Sequence, residues 1–399
     1  MTTRADKIFM KLKADKILVM RYRFIGDTVL TVPFLRNLRQ AFPHARIDLM
    51  LEPFSGQVLE GCPYVDDIIP FAFKTIHAYS ARSGRSRLAG YVHYWKLIRR
   101  ERYDAVFVLK RSLSSALLAW AAAVPRRIGF ATEARGLLLT DPVDYRQDQH
   151  EVRNFLDCLR AVDIPVGSED LELWPSPEND AKTRSLFADA GWKPEEPRIV
   201  IHAAASLPAK KWPLDRFAAV MRRLQEKHHA RFIYTGAEGD AALYQDIEKQ
   251  GPFGGLNLCG KTSLHENLSV YRASNLFFGV DSGPMHMAAA AGLPVVALFG
   301  PTDERKWGPW GEGHTVITRR LSCHPCKPHR CQDNECMREI GVEEALEAVE
   351  RKLVSVTPPQ PLPQGEGLHP LPSVGEYNFI APSPQWGEGG GEGGVTRKT

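Results

Sequence analysis

Four short stretches of this 399-residue chain hold residues whose types and spacing could carry chemistry. The most informative is Asp281-Ser282-Gly283-Pro284-Met285-His286. An apolar run over 276–280 precedes it, a helix is expected through residue 291, and a second apolar run covers 295–299. Pro284 suits the first turn of a helix, Gly292 suits its end, and Pro294 forbids its continuation. Asp281 and Ser282 therefore stand where a strand hands over to a helix N-terminus. Ligands of open α/β sheets bind at that edge, and free N–H groups there attract phosphate. The competing reading is that Asp281 or Ser282 simply caps the helix.

The other three stretches also follow apolar runs. Gly26-Asp27 comes after a run over 16–23; the glycine lets backbone approach a ligand, and the carboxylate could serve as a general base or merely as an N-cap. His202-Ala-Ala-Ala-Ser206-Leu-Pro-Ala-Lys210-Lys211-Trp212-Pro213 offers Ser206 as a donor to a phosphate oxygen and Lys210 as its counter-charge. Thr235-Gly236-Ala-Glu238-Gly239-Asp240 is a glycine-bearing turn able to close over a nucleotide. Any one of these is a weak signal. Four in order at strand ends are a specific one.

One stretch imitates chemistry. Residues 255–262, Gly-Leu-Asn-Leu-Cys-Gly-Lys-Thr, satisfy the P-loop pattern, yet no buried strand precedes them. The interior alternates like a short strand, and Ser263 or Thr262 with Glu266 makes a capping box for the next helix. An NTPase is therefore set aside. No Asp-x-Asp triplet occurs, which argues against transferases that hold a sugar nucleotide through a metal on that motif, and no Gly-x-Gly-x-x-Gly opens the first helix.

The elements that must position these loops alternate strand and helix. Strands are expected over 16–23, 46–51 and 105–109, with a helix from the Gly26-Asp27 turn to residue 41. After the proline-rich stretch 174–197 the pattern restarts, with strands over 198–202 and 231–235 and a helix over 214–228. This is an α/β chain of two Rossmann-like halves with parallel sheets. Residues 1–15 are an extension, 16–180 the first domain, 181–356 the second, and 357–399 a Pro/Gly-rich tail expected to be disordered. The apolar and charged fractions, 43% and 25%, are those of an ordinary globular protein, and a net charge of +4 does not suggest a nucleic-acid binder. Basic residues cluster locally (Arg82, Arg85, Arg87, Lys96, Arg99, Arg100, Arg102), either as a solvated face or as a landing site for an anionic acceptor or membrane surface. No secretory signal is visible, so a cytoplasmic location is expected. Cys323, Cys326, Cys331 and Cys336 form a run whose spacing suits a structural zinc, reduced thiols or a redox-labile loop; the metal content is left open.

Residues 17–33, the loop from His202 to Pro213, Gly260-Lys-Thr-Ser263, and Gly279-Val-Asp-Ser-Gly-Pro-Met-His286 with Phe299-Gly-Pro-Thr302 resemble glycosyltransferase family 9, the heptosyltransferases of the lipopolysaccharide inner core. The similarity runs in order from about residue 16 to 352, and the cysteine run ending in Cys336-Met337 looks like a feature of many members. The resemblance implies a GT-B fold, with two Rossmann-like domains facing across a cleft. It implies inverting transfer from ADP-heptose, or a related nucleotide sugar, to a lipid-linked saccharide, by a monomer that requires no cofactor and acts in the cytoplasm or peripherally on the cytoplasmic face of the inner membrane. Carried over by position, Asp27 matches the general base. Gly26 and Gly236 belong to the substrate-binding loops, Lys210 with Ser206 to the donor phosphates, and Asp281, Ser282, Gly283 and His286 to the nucleotide and sugar-phosphate loop. Ala204 stands at a position that is glycine in many members. Two further readings are a GT-B transferase for another nucleotide sugar and a catalytically idle, acceptor-binding relative.

Overall fold

The computed structural model describes residues 12–22, 24–71, 87–193, 195–326, 331 and 333–355. The N-terminal half contains β1 (Lys16–Met20), α1 (Ile25–Val29), α2 (Val32–Ala41), β2 (Arg46–Leu51), β3 (Asp67–Pro70), α3 (Arg87–Glu101), β4 (Ala105–Val108), α4 (Leu113–Ala121), β5 (Arg126–Phe130), β6 (Asp141–Val143) and α5 (Glu151–Arg160). A crossover helix, α6 (Pro177–Asp189), follows. The C-terminal half contains β7 (Arg198–His202), α7 (Leu214–His228), β8 (Arg231–Tyr234), α8 (Ala241–Glu248), β9 (Leu256–Asn257), α9 (Leu264–Arg272), β10 (Leu276–Val280), α10 (Gly283–Ala290), β11 (Val295–Phe299), β12 (Thr315–Thr318) and α11 (Val342–Ser355).

The two sheets share one plan. Their orders are β3-β2-β1-β4-β5-β6 and β12-β11-β10-β7-β8-β9, all parallel. Each is a doubly wound Rossmann sheet whose strand order reverses at one place, between β1 and β4 in the first and between β7 and β10 in the second. Strands covered on both faces need no polar side, and β10 (Leu-Phe-Phe-Gly-Val) and β11 (Val-Val-Ala-Leu-Phe) are buried throughout. A core of Leu35, Val152 and Phe155 from one half and Met285, Met287 and Ala288 from the other runs through the junction, with a separate cluster on the outer face of each sheet.

Several local expectations are corrected. The helix expected from Gly26-Asp27 to residue 41 is two helices, interrupted at Leu30–Thr31, because Pro33 lacks the N–H that a continuous helix would use there. Strands β3, β5, β6 and β12 were not expected, being short and only partly buried. Helix α6 packs on α9 of the second half. The P-loop imitation resolves as supposed: Leu256–Asn257 pairs with β8, and Ser263 and Glu266 form a reciprocal capping box on α9. The expected tail and nearly all of the N-terminal extension lie outside the described residues, as do Arg82 and Arg85. Among the described residues no helix is long and apolar enough to cross a membrane.

Candidate active site

The loops at the two strand-order reversals face each other, because α1 packs end-on against α10. Two glycines make the approach possible. A Cβ on Gly26 would stand 2.5 Å from Cδ2 of His286, and one on Gly283 would stand 2.9 Å from Cβ of Ile25. The first strand-end loop of one half is thus seated on the first turn of the helix that opens the donor-like loop of the other.

Asp27 is not an N-cap. Phe24 occupies the capping position of α1, with φ 68° and ψ 135° and no side-chain cap. Asp27 instead lies in the first turn, buried, with Oδ1 2.6 Å from Nη2 of Arg21 at the end of β1. Burial pushes its carboxyl above the ordinary range, Arg21 opposes that, Glu151 adds to it and Lys110 opposes it. A carboxylate so poised holds a proton more readily than a free one while staying anchored by Arg21, which suits a base.

Around this pair stand groups that the sequence did not single out. Tyr145 donates its hydroxyl to Glu151 Oε2 at 2.7 Å. The guanidinium of Arg111, from the loop after β4, lies 3.9 Å from the Tyr145 ring centroid, and Nζ of Lys306 lies 4.3 Å from it. Lys306 belongs to the second half, donates to Gln147 Oε1 at 3.0 Å, and is held below the usual lysine range by burial. Lys306 therefore carries positive charge from the second half into the first. Its only sequence signal was its place four residues after Gly-Pro-Thr302; Arg21 had the signal of ending β1 just ahead of Gly26-Asp27.

On the other side, Lys210 ends a short 3-10 turn (Pro208–Lys210) and brings Nζ to 2.6 Å from Oδ2 of Asp281, close in distance but without hydrogen-bond alignment. Ser282 is the N-cap residue of α10, yet its hydroxyl caps nothing and is buried without a partner. Nδ1 of His286 is likewise buried and unpartnered. Orphaned polar atoms are costly in a native fold, and their gathering on the first turn of one helix marks a place built for a polar ligand. His286 is pushed down to about 3 by burial first, then by His150 and Lys210, so its ring is neutral. His150 caps α5, accepting from Val152 N at 3.3 Å, and reaches across to Gly308 O at 3.0 Å; burial lowers it to about 4.

The remaining expected site residues are less engaged. Ser206 is exposed in the loop that carries Lys210. Gly236 sits in a turn closed by Asp240, whose Oδ2 accepts from Ala237 N at 2.9 Å, and its carbonyl accepts from Gly260 N at 3.1 Å. Ala204 is buried. The cysteine run is tied to the loop after β11 and to the Lys210 loop: Cys326 N donates to Pro301 O at 3.0 Å, and Asn334, whose N donates to Cys331 Sγ at 3.4 Å, donates Nδ2 to Lys211 O at 2.7 Å. Burial raises the Cys326 thiol, and the neighbouring Cys331 and Cys323 raise it further. Among the described residues no three His, Cys, Asp or Glu side chains are grouped to hold a metal ion.

Residues 91–337 match the profile of glycosyltransferase family 9 (heptosyltransferase). The chain is 26% identical to lipopolysaccharide heptosyltransferase 2 of Salmonella typhimurium over 366 residues, covering 89% of this chain and 98% of that one. It is 27% identical to lipopolysaccharide heptosyltransferase 3 of Escherichia coli over 348 residues, covering 84% and 97%. Among solved structures, a family 9 glycosyl transferase of Veillonella parvula superposes with a TM-score of 0.74 at 23% identity, covering 87% of this chain and 99% of that one. The ADP-heptose lps heptosyltransferase II of E. coli superposes with a TM-score of 0.66 at 24% identity, covering 85% and 99%. At these identities the superpositions establish the two-domain fold, and the profile establishes the family.

Proposed function

This chain belongs to glycosyltransferase family 9, and from that premise we propose that it moves a heptose from ADP-heptose to a lipid-linked saccharide of the lipopolysaccharide core with inversion at the anomeric carbon. The observation that carries the reading is the seating of Gly26, next to Asp27, on His286 of the opposite half, whose ring also feels the charge of Lys210. The acceptor hydroxyl oxygen forms the new bond to the anomeric carbon, and its proton passes to Asp27. The bond from that carbon to the phosphate oxygen breaks, and the electron pair leaves with the nucleoside diphosphate. Lys210, released from Asp281 by the competing phosphates, and the N–H groups opening α10 take up the growing negative charge. Asp281, Ser282, Gly283 and His286 hold the donor, with Ser206 and Gly236 bordering it. Arg21 keeps the Asp27 carboxylate oriented, and Lys306 draws the two halves together over it. This chemistry calls on no metal; the cysteine run is a structural clasp for the Lys210 loop whether it holds reduced thiols or zinc. The enzyme works on the cytoplasmic face of the inner membrane.

The test is transfer itself. Incubation with a panel of nucleotide sugars and a core-saccharide acceptor, monitored by nucleotide release, should select ADP-heptose, and Asp27→Ala should lower kcat by about a hundred- to ten-thousandfold. Transfer at a normal rate by Asp27→Ala would remove Asp27 as the base, and preference for another nucleotide sugar would replace the donor.

A further inference from the structure

Helix α4 follows β4 at the β1–β4 reversal, and its sequence, Leu-Ser-Ser-Ala-Leu-Leu-Ala-Trp-Ala, contains no charge. Ala116, Leu118 and Ala119 are buried against the sheet, as a surface helix requires. The opposite face should then be polar. It is instead Leu113, Leu117 and Trp120, spaced at i, i+4 and i+7 and each about half exposed. Neighbours extend the stripe. Trp95 of α3 lays its ring by the end of α4, donating Nε1 to Ala121 O at 3.0 Å, and Leu137, on the turn Glu133–Leu138 that packs on α4, is 89% exposed. A contiguous exposed apolar surface of this kind marks an interaction site.

The charge beside the stripe says what it meets. Lys96 and Arg99 of α3 are exposed, and among the described residues neither has a carboxylate within ion-pair distance. Arg99 Nη1 approaches Ala122 O at 3.4 Å, which sets its charge at the C-terminal end of α4, while the exposed Arg111 stands at the other end. The nearby carboxylates are already engaged, Glu101 with Lys16 at 2.5 Å and Glu133 with Arg135 at 3.2 Å. Two copies meeting through this face would bring like charges together. An anionic bilayer satisfies both features, with aliphatic and indole groups in the interface and Lys and Arg among the headgroups.

We propose that the face built from α4, Trp95 and Leu137, with Lys96, Arg99 and Arg111 beside it, docks the enzyme on an anionic phospholipid surface. The proposal deepens the functional reading above and rests on it for the acceptor's lipid anchor. The stripe begins at Leu113, two residues beyond Arg111, on the edge of the sheet where Asp27 lies. A saccharide whose lipid remains in the bilayer would thus enter the cleft from the side on which the protein is held.

The experiment uses the full chain with phosphatidylcholine vesicles, with or without phosphatidylglycerol. The wild-type protein should co-sediment with the mixed vesicles and not with the neutral ones, and salt should release it. L117Q/W120Q and K96E/R99E should each weaken vesicle binding about tenfold or more. Both should transfer normally to a water-soluble acceptor fragment while losing about tenfold on an acceptor embedded in vesicles. Equal vesicle binding by wild type and L117Q/W120Q would overturn the proposal. A wild-type dimer that L117Q/W120Q turns into a monomer would overturn it in favour of a protein–protein face. Vesicle binding is read without catalysis, so a failure of the heptosyl-transfer reading would show separately, as absent transfer to the soluble fragment.

Discussion

Replacing Arg21 with Met removes the cation 2.6 Å from Asp27 while keeping a long side chain to pack over the Phe155 ring, 4.9 Å from the present guanidinium. Both members of the pair are at least nine-tenths buried, with side-chain exposures of 5% and 10%. Breaking a buried pair on one side costs about 3–5 kcal/mol. Coulomb's law agrees, giving about 4 kcal/mol for unit charges about 4 Å apart at an effective dielectric of about 20. Asp27 can escape that cost by taking up a proton, and as the base it is then inactive. With Lys110 still opposing protonation, the acid limb of kcat/KM should move upward in pH. Nucleotide release measured from about pH 5 to pH 9 should therefore show R21M most impaired at low pH and recovering toward high pH. Stability follows the same linkage. Burial raises Asp27 above its unfolded value, so its favourable contribution is complete below the unfolded pKa and is lost as pH rises through the folded one. R21M extends that loss upward and should melt lower, relative to wild type, at pH 8 than at pH 5. The double variant R21M/D27N, with neither charge, should recover most of the stability and no activity. An unchanged acid limb in a folded R21M protein would refute the role of Arg21, and a uniform loss at every pH would refute the assignment of that limb to Asp27.

Two other outcomes test the second half of the site and the junction. Lys210→Met should lower kcat by about a hundred- to thousandfold through lost charge stabilisation of the departing diphosphate, and K210M/D281N should regain melting temperature without regaining turnover; near-normal kcat in K210M would exclude Lys210 from that task. His150 and His286, held down to about 4 and about 3, favour the neutral ring in the folded state, so their contribution is complete above about pH 6.5 and is lost as pH falls through the folded values. Each adds a slope of about 1.4 kcal/mol per pH unit between the two limits, and His150→Gln should remove one such slope from a denaturation series between pH 6.5 and pH 4; an unchanged slope would show that His150 is not buried neutral at the Gly308 junction.

What the sequence determined by itself was local. Uninterrupted apolar runs marked β7, β10 and β11, because strands covered on both faces carry no polar side. Proline and glycine placed the ends of α10, and Ser263 with Glu266 announced the start of α9. Four loops at strand ends, with a family resemblance, were enough to anticipate two Rossmann-like halves and to propose Asp27, Lys210 and Asp281 as site residues. The weakly patterned strands β3, β5, β6 and β12 escaped notice, since three to five partly exposed residues have no distinctive period. Tertiary structure alone decided how the loops meet. In sequence Gly26 read as a place where backbone could approach a ligand and Gly283 as part of the donor loop, and only the docking of α1 on α10 shows that their missing Cβ atoms let the halves touch. Residue type alone left Asp27 as either a cap or a base; the fold puts Phe24 at the cap of α1 and sets Arg21 beside the Asp27 carboxylate. Lys306 and Glu151 lie 155 residues apart in sequence and near one tyrosine ring in space, a proximity set by two sheets closing over each other. Periodicity and turn chemistry act over a few residues, so they are written in sequence; charge pairing and desolvation across a cleft depend on the relative placement of distant segments, which the assembled fold alone defines.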